Sequence, residues 1–208
     1  MKLSAPEPLV TERLRVRLVE ARDLPGLLAV NGDATVTRHL PYATWAAMAD
    51  ALAWYQRMLG IMETGTALQF VIVRRSDDLP IGTALVFRHD EGSQRAELGY
   101  VLGSTFWGQG YMQEALRALV QAAFEAMGLR RLEAEVNPVN TASVRVLEGL
   151  GFQREGLLRQ RWTSAKDEGR PYDVAVYGLL RDEFVPQATV TRTRPRASTS
   201  SPPTSRRQ

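Results

Sequence analysis

The 208-residue chain is 44% hydrophobic and 24% charged, the balance of one folded domain with a substantial core and no second one. It has no cysteine, which excludes disulfides, thiolate metal sites and a cysteine nucleophile, and its two histidines, His39 and His89, lie in unrelated segments that suit neither a histidine metal site nor a triad. Its net charge of +3 is local: five of the 26 basic residues lie in 186–208, which holds no acid, and the other 21 stand against 23 acidic residues, so the body of the chain is no basic nucleic-acid binder.

Residues 1–10 are a short extension with no long apolar run, and no later run approaches the roughly 20 apolar residues that span a bilayer, so a cytoplasmic protein without membrane contact is expected. Residues 11–19 alternate Leu14, Val16 and Leu18 with Arg13, Arg15 and Arg17, which predicts a half-buried strand whose arginines form a solvated face. A short helix is predicted over 21–31, with Asp23 as its cap and Pro25 in its first turn, and a second helical piece over 33–40. Thr44 is placed to cap a longer helix through about residue 62, with Met48, Leu52, Tyr55, Leu59 and Met62 on its inner face. Residues 67–74, 81–88 and 95–102 read as three strands joined by the polar stretches SDDLP and HDEGSQ, an antiparallel meander.

The stretch GSTFWGQGYMQEALRALVQAAFEAMG, residues 103–128, organises the rest. Ala115, Leu116, Leu119, Val120, Ala123, Phe124 and Met127 share one helical face, and Gly128 is placed to end the helix. At the other end Gly108 and Gly110 let backbone approach a ligand, and the first helical amides lack intrahelical partners, an arrangement that suits phosphate oxygens. No Gly-Lys-Ser or Gly-Lys-Thr follows, so a Walker-type loop is excluded. A dinucleotide turn, with Glu133 or Glu135 as ribose partner, fails because Gln113 stands where its third glycine belongs and the turn is too long. Residues 131–136 then form a strand parallel to 95–102, a helix runs over 141–150 behind a possible cap at Asn140, and strands near 153–162 and 172–180 close the sheet. The fold class is α/β, with a mixed sheet that is antiparallel early and parallel at one joint.

TERLRVRLV, AELGYVL, FWGQGYMQEALRALVQAAFEAMGLRRLEAEV, NPVNTASVRVLEGLGFQREGLLR and YDVAVYGLL together resemble the GNAT acetyltransferases, and more closely the RimJ/RimL-type branch that acetylates protein N-termini and small amines. The resemblance implies a GNAT domain over residues 11–185, with acetyl-CoA as co-substrate and no metal. It implies that Trp107, Gly108, Gln109, Gly110, Tyr111 and Met112 hold the pyrophosphate, that the backbone at Val101 and Leu102 pairs with the pantetheine arm, and that Asn140 and Ser143 meet the arm near its sulfur. Leu147 stands where many GNAT enzymes carry an acid tyrosine, and Ser143 is the implied substitute. Glu97 is the candidate base, with an ion pair to an arginine as its equally weighted alternative. The expected acceptor is a protein N-terminus, such as that of a ribosomal protein; a small-molecule amine, or coenzyme A binding without turnover, stays open. Residues 186–208 read as a disordered Arg/Ser/Thr/Pro-rich tail, a solvated segment or a contact to ribosome or RNA.

Overall fold

Leu14 and Val16, spaced by two along an arginine-rich run, are both buried, so the second strand is amphipathic as its alternation requires. The computed structural model describes residues 2–163 and 169–186; the expected tail lies almost wholly outside them. The strands are β1 (Leu9–Val10), β2 (Leu14–Leu18), β3 (Leu68–Arg74), β4 (Leu79–Asp90), β5 (Arg95–Leu102), β6 (Arg131–Val136), β7 (Gln153–Thr163) and β8 (Pro171–Leu180). They form one eight-stranded sheet in the order β1-β2-β3-β4-β5-β6-β8-β7. Each neighbouring pair is antiparallel except β5 and β6, which run parallel as the helical crossover demands.

The helices are α1 (Leu24–Asn31), α2 (Ala34–Thr37), α3 (Met48–Thr64), α4 (Tyr111–Glu125) and α5 (Thr141–Leu150). On one face of the sheet, Leu116, Leu119, Val120, Ala123 and Phe124 of α4 and Leu147 and Leu150 of α5 join the main core with Phe70, Ile72, Leu98 and Leu132. On the other, Leu24 and Leu27 of α1 and Ala51, Trp54 and Met58 of α3 pack on Val71 and Val73. Strand β3 lies between both layers, which accounts for its nearly unbroken apolar sequence.

The N-terminal helices depart from the sequence reading. Asp23 precedes α1 but caps it with no side-chain bond: its carboxylate is buried, pairs with Arg17 at 2.7 Å and accepts from the Glu20 amide at 2.8 Å. Thr44 does not start α3; its hydroxyl lies 2.6 Å from that of Thr37, and the helix begins after Ala47, where Asp50 accepts from the amides of Ala46 and Ala47. The buried face of α3 is Ala51, Trp54 and Met58, with Tyr55 and Met62 beside it, whereas Met48 and Leu52 are exposed by 36% and 47%. The bulky Trp54 sets the phase, packing on Trp45 at a ring separation of 5.4 Å. Gly128 takes φ +72° three residues beyond the end of α4 rather than directly at it.

Candidate active site

Strands β5 and β6 pair only through Arg95 with Arg131, Ala96 with Leu132 and Glu97 with Glu133, after which they separate. Beyond that point β5 continues to Leu102 and stays paired to β4, so its other edge from Leu98 onward has no strand beside it. A chain edge of this kind offers its free amides and carbonyls to an extended ligand. One acceptor is already used, because Trp107 Nε1 donates to the Leu102 carbonyl at 2.8 Å.

The glycine turn leads into this opening. Gly108 and Gly110 have φ of +71° and +78°, a left-handed conformation that glycine adopts without strain. Gly110 is the N-cap of α4, and its carbonyl accepts the first helical bond, from Glu114. Among the described residues the amides from Gly108 to Gln113 have no backbone acceptor, and a Cβ at Gly108 would meet open space. A cavity of about 500 Å³ runs from this turn along the opened strand edge, touching Val101, Leu102, Trp107, Gly108, Gly110, Tyr111, Met112, Asn140 and Ser143. Arg145 also lines it, with no acid partner among the described residues. Free amides, a helix N-terminus and an uncommitted arginine suit a phosphate-bearing donor, so the residues fit acetyl-CoA. The side chain of Gln109 serves the loop itself, donating to the Thr105 carbonyl at 2.9 Å.

Arg13 braces the turn from β2. Its guanidinium donates to the Gln109 carbonyl at 2.9 Å and to Glu114 Oε2 at 2.7 Å, and lies 4.3 Å from the centre of the Tyr111 ring. Glu114 also accepts from Thr11 Oγ1 and the Arg13 amide. Burial pushes the Glu114 carboxyl up, but the bonds from Thr11 and Arg13 outweigh it and hold the group below the usual carboxylate range. The sequence reading placed Arg13 on a solvated face; its alternation with Leu14 does not show that α4 lies across its end.

At the far end of the opening Asn140 caps α5, its side chain accepting from the Ser143 amide at 3.2 Å. Across the gap from β5, the Tyr100 hydroxyl lies 2.8 Å from Ser143 Oγ and 3.1 Å from the Ser143 carbonyl. Burial raises the Tyr100 hydroxyl far above its ordinary value, so it stays a neutral donor at physiological pH. Leu147 is buried in the core, with 1% of its surface exposed.

A second cavity, of about 670 Å³, adjoins the first and shares Tyr100, Val101, Asn140 and Ser143 with it. His39, a residue without a role in the sequence reading, lines both. Glu97 lines neither. It is 8% exposed and both its oxygens accept from Arg88 Nη1, at 2.9 and 3.0 Å, the ion-paired alternative weighed from sequence. The carboxylate that does line the second cavity is Glu135, whose Oε2 is buried without a hydrogen-bond partner among the described residues. Its other oxygen is 3.9 Å from Arg161, too long for a tight pair. From sequence Glu135 entered only as a rejected ribose partner, although a period-two count along β6 from the buried Leu132, Ala134 and Val136 puts it on the opposite face.

Among the described residues no group of three or more metal-ligating side chains is placed to hold an ion, and no helix is long and apolar enough to cross a membrane. Residues 13–153 match the acetyltransferase (GNAT) domain family. The chain is 36% identical over 178 residues to the uncharacterized N-acetyltransferase p20 of Bacillus licheniformis, covering 86% of this chain and 98% of that one. It is 32% identical over 157 residues to the [ribosomal protein uS5]-alanine N-acetyltransferase of Escherichia coli, covering 71% and 79%. The solved structure of Mycobacterium smegmatis RimJ in complex with CoA-disulfide superposes with a TM-score of 0.74 at 25% identity, covering 84% of this chain and 85% of that one. A glycine turn at a helix start, a parallel pair that opens after three residues and a sequence match across both make this chain a member of the GNAT family, an acetyl-CoA-dependent N-acetyltransferase.

Proposed function

We propose that the acceptor is the N-terminal α-amine of a protein, held at Glu135 beside the opened edge of β5. The observation that carries this is the acid content of the acceptor-side cavity: among its described lining residues Glu135 is the sole carboxylate. A polyamine brings two or more ammonium groups into a site and needs several acids to receive them; a single carboxylate suits a single amine. An α-amine also has a pKa of roughly 7.7–8.0, against about 10.4 for lysine, so one acid can bring it to the neutral, nucleophilic form. The relative named for the alanine of ribosomal protein uS5 points the same way.

In this reading Glu135 takes the ammonium proton, because it lines the cavity and its Oε2 is buried with no hydrogen-bond partner among the described residues. Glu97 is the second candidate, available once Arg88 releases it. Acetyl-CoA supplies the acyl thioester. Ser143, fixed by the Asn140 cap and the Tyr100 hydroxyl, sits where a donor arm along β5 would end, and serves as proton donor or positioning group for the departing sulfur. A thiol of pKa about 8.5 leaves with little assistance, which is how the site works with Leu147 in place of a tyrosine.

The test is release of thiol from acetyl-CoA with peptides bearing a free N-terminus, the same peptides N-terminally blocked but carrying a lysine, and spermidine. Turnover confined to free N-termini is expected. Turnover of spermidine or of the blocked lysine peptides, with free N-termini refused, would overturn the assignment.

A further inference from the structure

Among the described residues, the acceptor-side cavity sets one carboxylate, Glu135, against three arginines from three different elements: Arg57 on α3, Arg88 on β4 and Arg161 on β7. Arg88 is neutralised by Glu97. Among the described residues Arg161 has only the long contact to Glu135. Arg57, beside Tyr42, has no acid partner among the described residues. A cavity for an amine would be expected to gather acids, so this surplus of positive charge calls for a ligand that carries the matching negative charge.

The strands are distorted beside two of these arginines. Phe87 and Arg88 both line the cavity, and there β4 loses register with β5 after Phe87 and Arg88 takes φ +52°. On β7, register with β8 is interrupted between Leu158 and Trp162, Gln160 takes φ +51°, and Arg161 and Trp162 both line the cavity. Gln160 is fixed there by its amide, which donates to Asp173 at 2.9 Å. A non-glycine residue at positive φ is strained, and bulges of this kind re-aim side chains beside functional sites.

Resting on the α-amine reading above, we infer that the preferred acceptor is an N-terminus followed within a few residues by an acidic side chain. Glu135 receives the amine and the pair Arg57 and Arg161 receives the carboxylate. Carboxylates bind guanidinium through two oxygens at once, so each arginine contributes geometry as well as charge.

The experiment compares kcat/KM for three alanine-initiated peptides that differ only downstream of the alanine, carrying glutamate, glutamine or lysine at residues two and three, with spermidine as a fourth substrate. The glutamate peptide should exceed its glutamine isostere by roughly tenfold at low salt, with the difference in KM, and the ratio should shrink as salt rises. In an Arg57→Gln, Arg161→Gln protein that ratio should fall below about threefold, and Arg57→Glu should move preference toward the lysine peptide. Acetyl-CoA affinity, measured by calorimetry, reports that each variant is folded. Glutamate and glutamine peptides acetylated equally well would overturn the inference while leaving the α-amine reading in place. Spermidine acetylated with all three peptides refused would remove both.

Discussion

The groove at the glycine turn and the cavity at Glu135 meet at Tyr100 and Ser143 but are built on different principles. The groove is made of backbone: amides from Gly108 to Gln113, the free edge of β5 and the start of α5, drawn from segments that are each continuous in sequence. The cavity is made of side chains from scattered places, among them Arg57, Arg88, Glu135 and Arg161. Backbone recognition tolerates wide sequence change so long as the turn and helix form, whereas convergent side chains change specificity one substitution at a time. That division lets one fold keep its donor while its acceptor varies.

Removing the cavity's carboxylate should separate the two regions most sharply. Glu135→Gln keeps the shape and should lower kcat by about 100- to 10,000-fold, with acetyl-CoA affinity preserved in a calorimetric titration. Glu97→Gln beside it decides between the two carboxylates: a larger loss there than at Glu135 would return the proton to Glu97. The reciprocal break is Gly110→Val. A β-branched side chain at φ +78° is strained by roughly 1–2 kcal/mol, so the melting temperature should fall by a few degrees and the dissociation constant for acetyl-CoA should rise more than tenfold. An unchanged affinity in that variant would place the donor elsewhere.

Tyr100→Phe tests the joint between the regions. It removes one hydroxyl that holds Ser143, a loss of about 0.5–1.5 kcal/mol, and should reduce kcat roughly three- to tenfold with little change in either substrate's binding. The smallest effect is expected from the brace behind the turn. Because the Glu114 carboxyl is held below its ordinary range in the folded protein, its contribution is complete above the unfolded value and disappears as pH falls through the lower, folded one. The stability gap between the wild type and Glu114→Gln, followed by urea unfolding, should therefore be constant above about pH 5 and close below about 4.3.

The same division governs what could be read without coordinates. The apolar face of α4, the limits of β5 and β6, the parallel joint and the Asn140 cap follow from local period, turn chemistry and chain order, and the structure has them as expected. The phase of α3 did not, because two apolar stripes compete there and tertiary contact with Trp45 selects the one through Trp54. Alternation along β2 predicts a solvated Arg13 because it says nothing of the helix that crosses its end. Glu135 and Arg57, 78 positions apart in the chain, become one site only when β6 and α3 are brought to the same cavity. The bulges beside Arg88 and Arg161 leave no glycine or proline at those residues to announce them.

The brevity of the β5–β6 pairing has a mechanical consequence. Strands β1 to β5 and strands β6 to β8 are two half-sheets whose strands are zipped together by three residue pairs. An extended donor bound in the gap would complete the missing ladder and act as a staple between the halves, so saturation should raise cooperativity as well as stability. At 100 times the dissociation constant the linkage amounts to about 2.7 kcal/mol. It should appear as slowed hydrogen exchange along β6 and β8, the strands on the far side of that short joint.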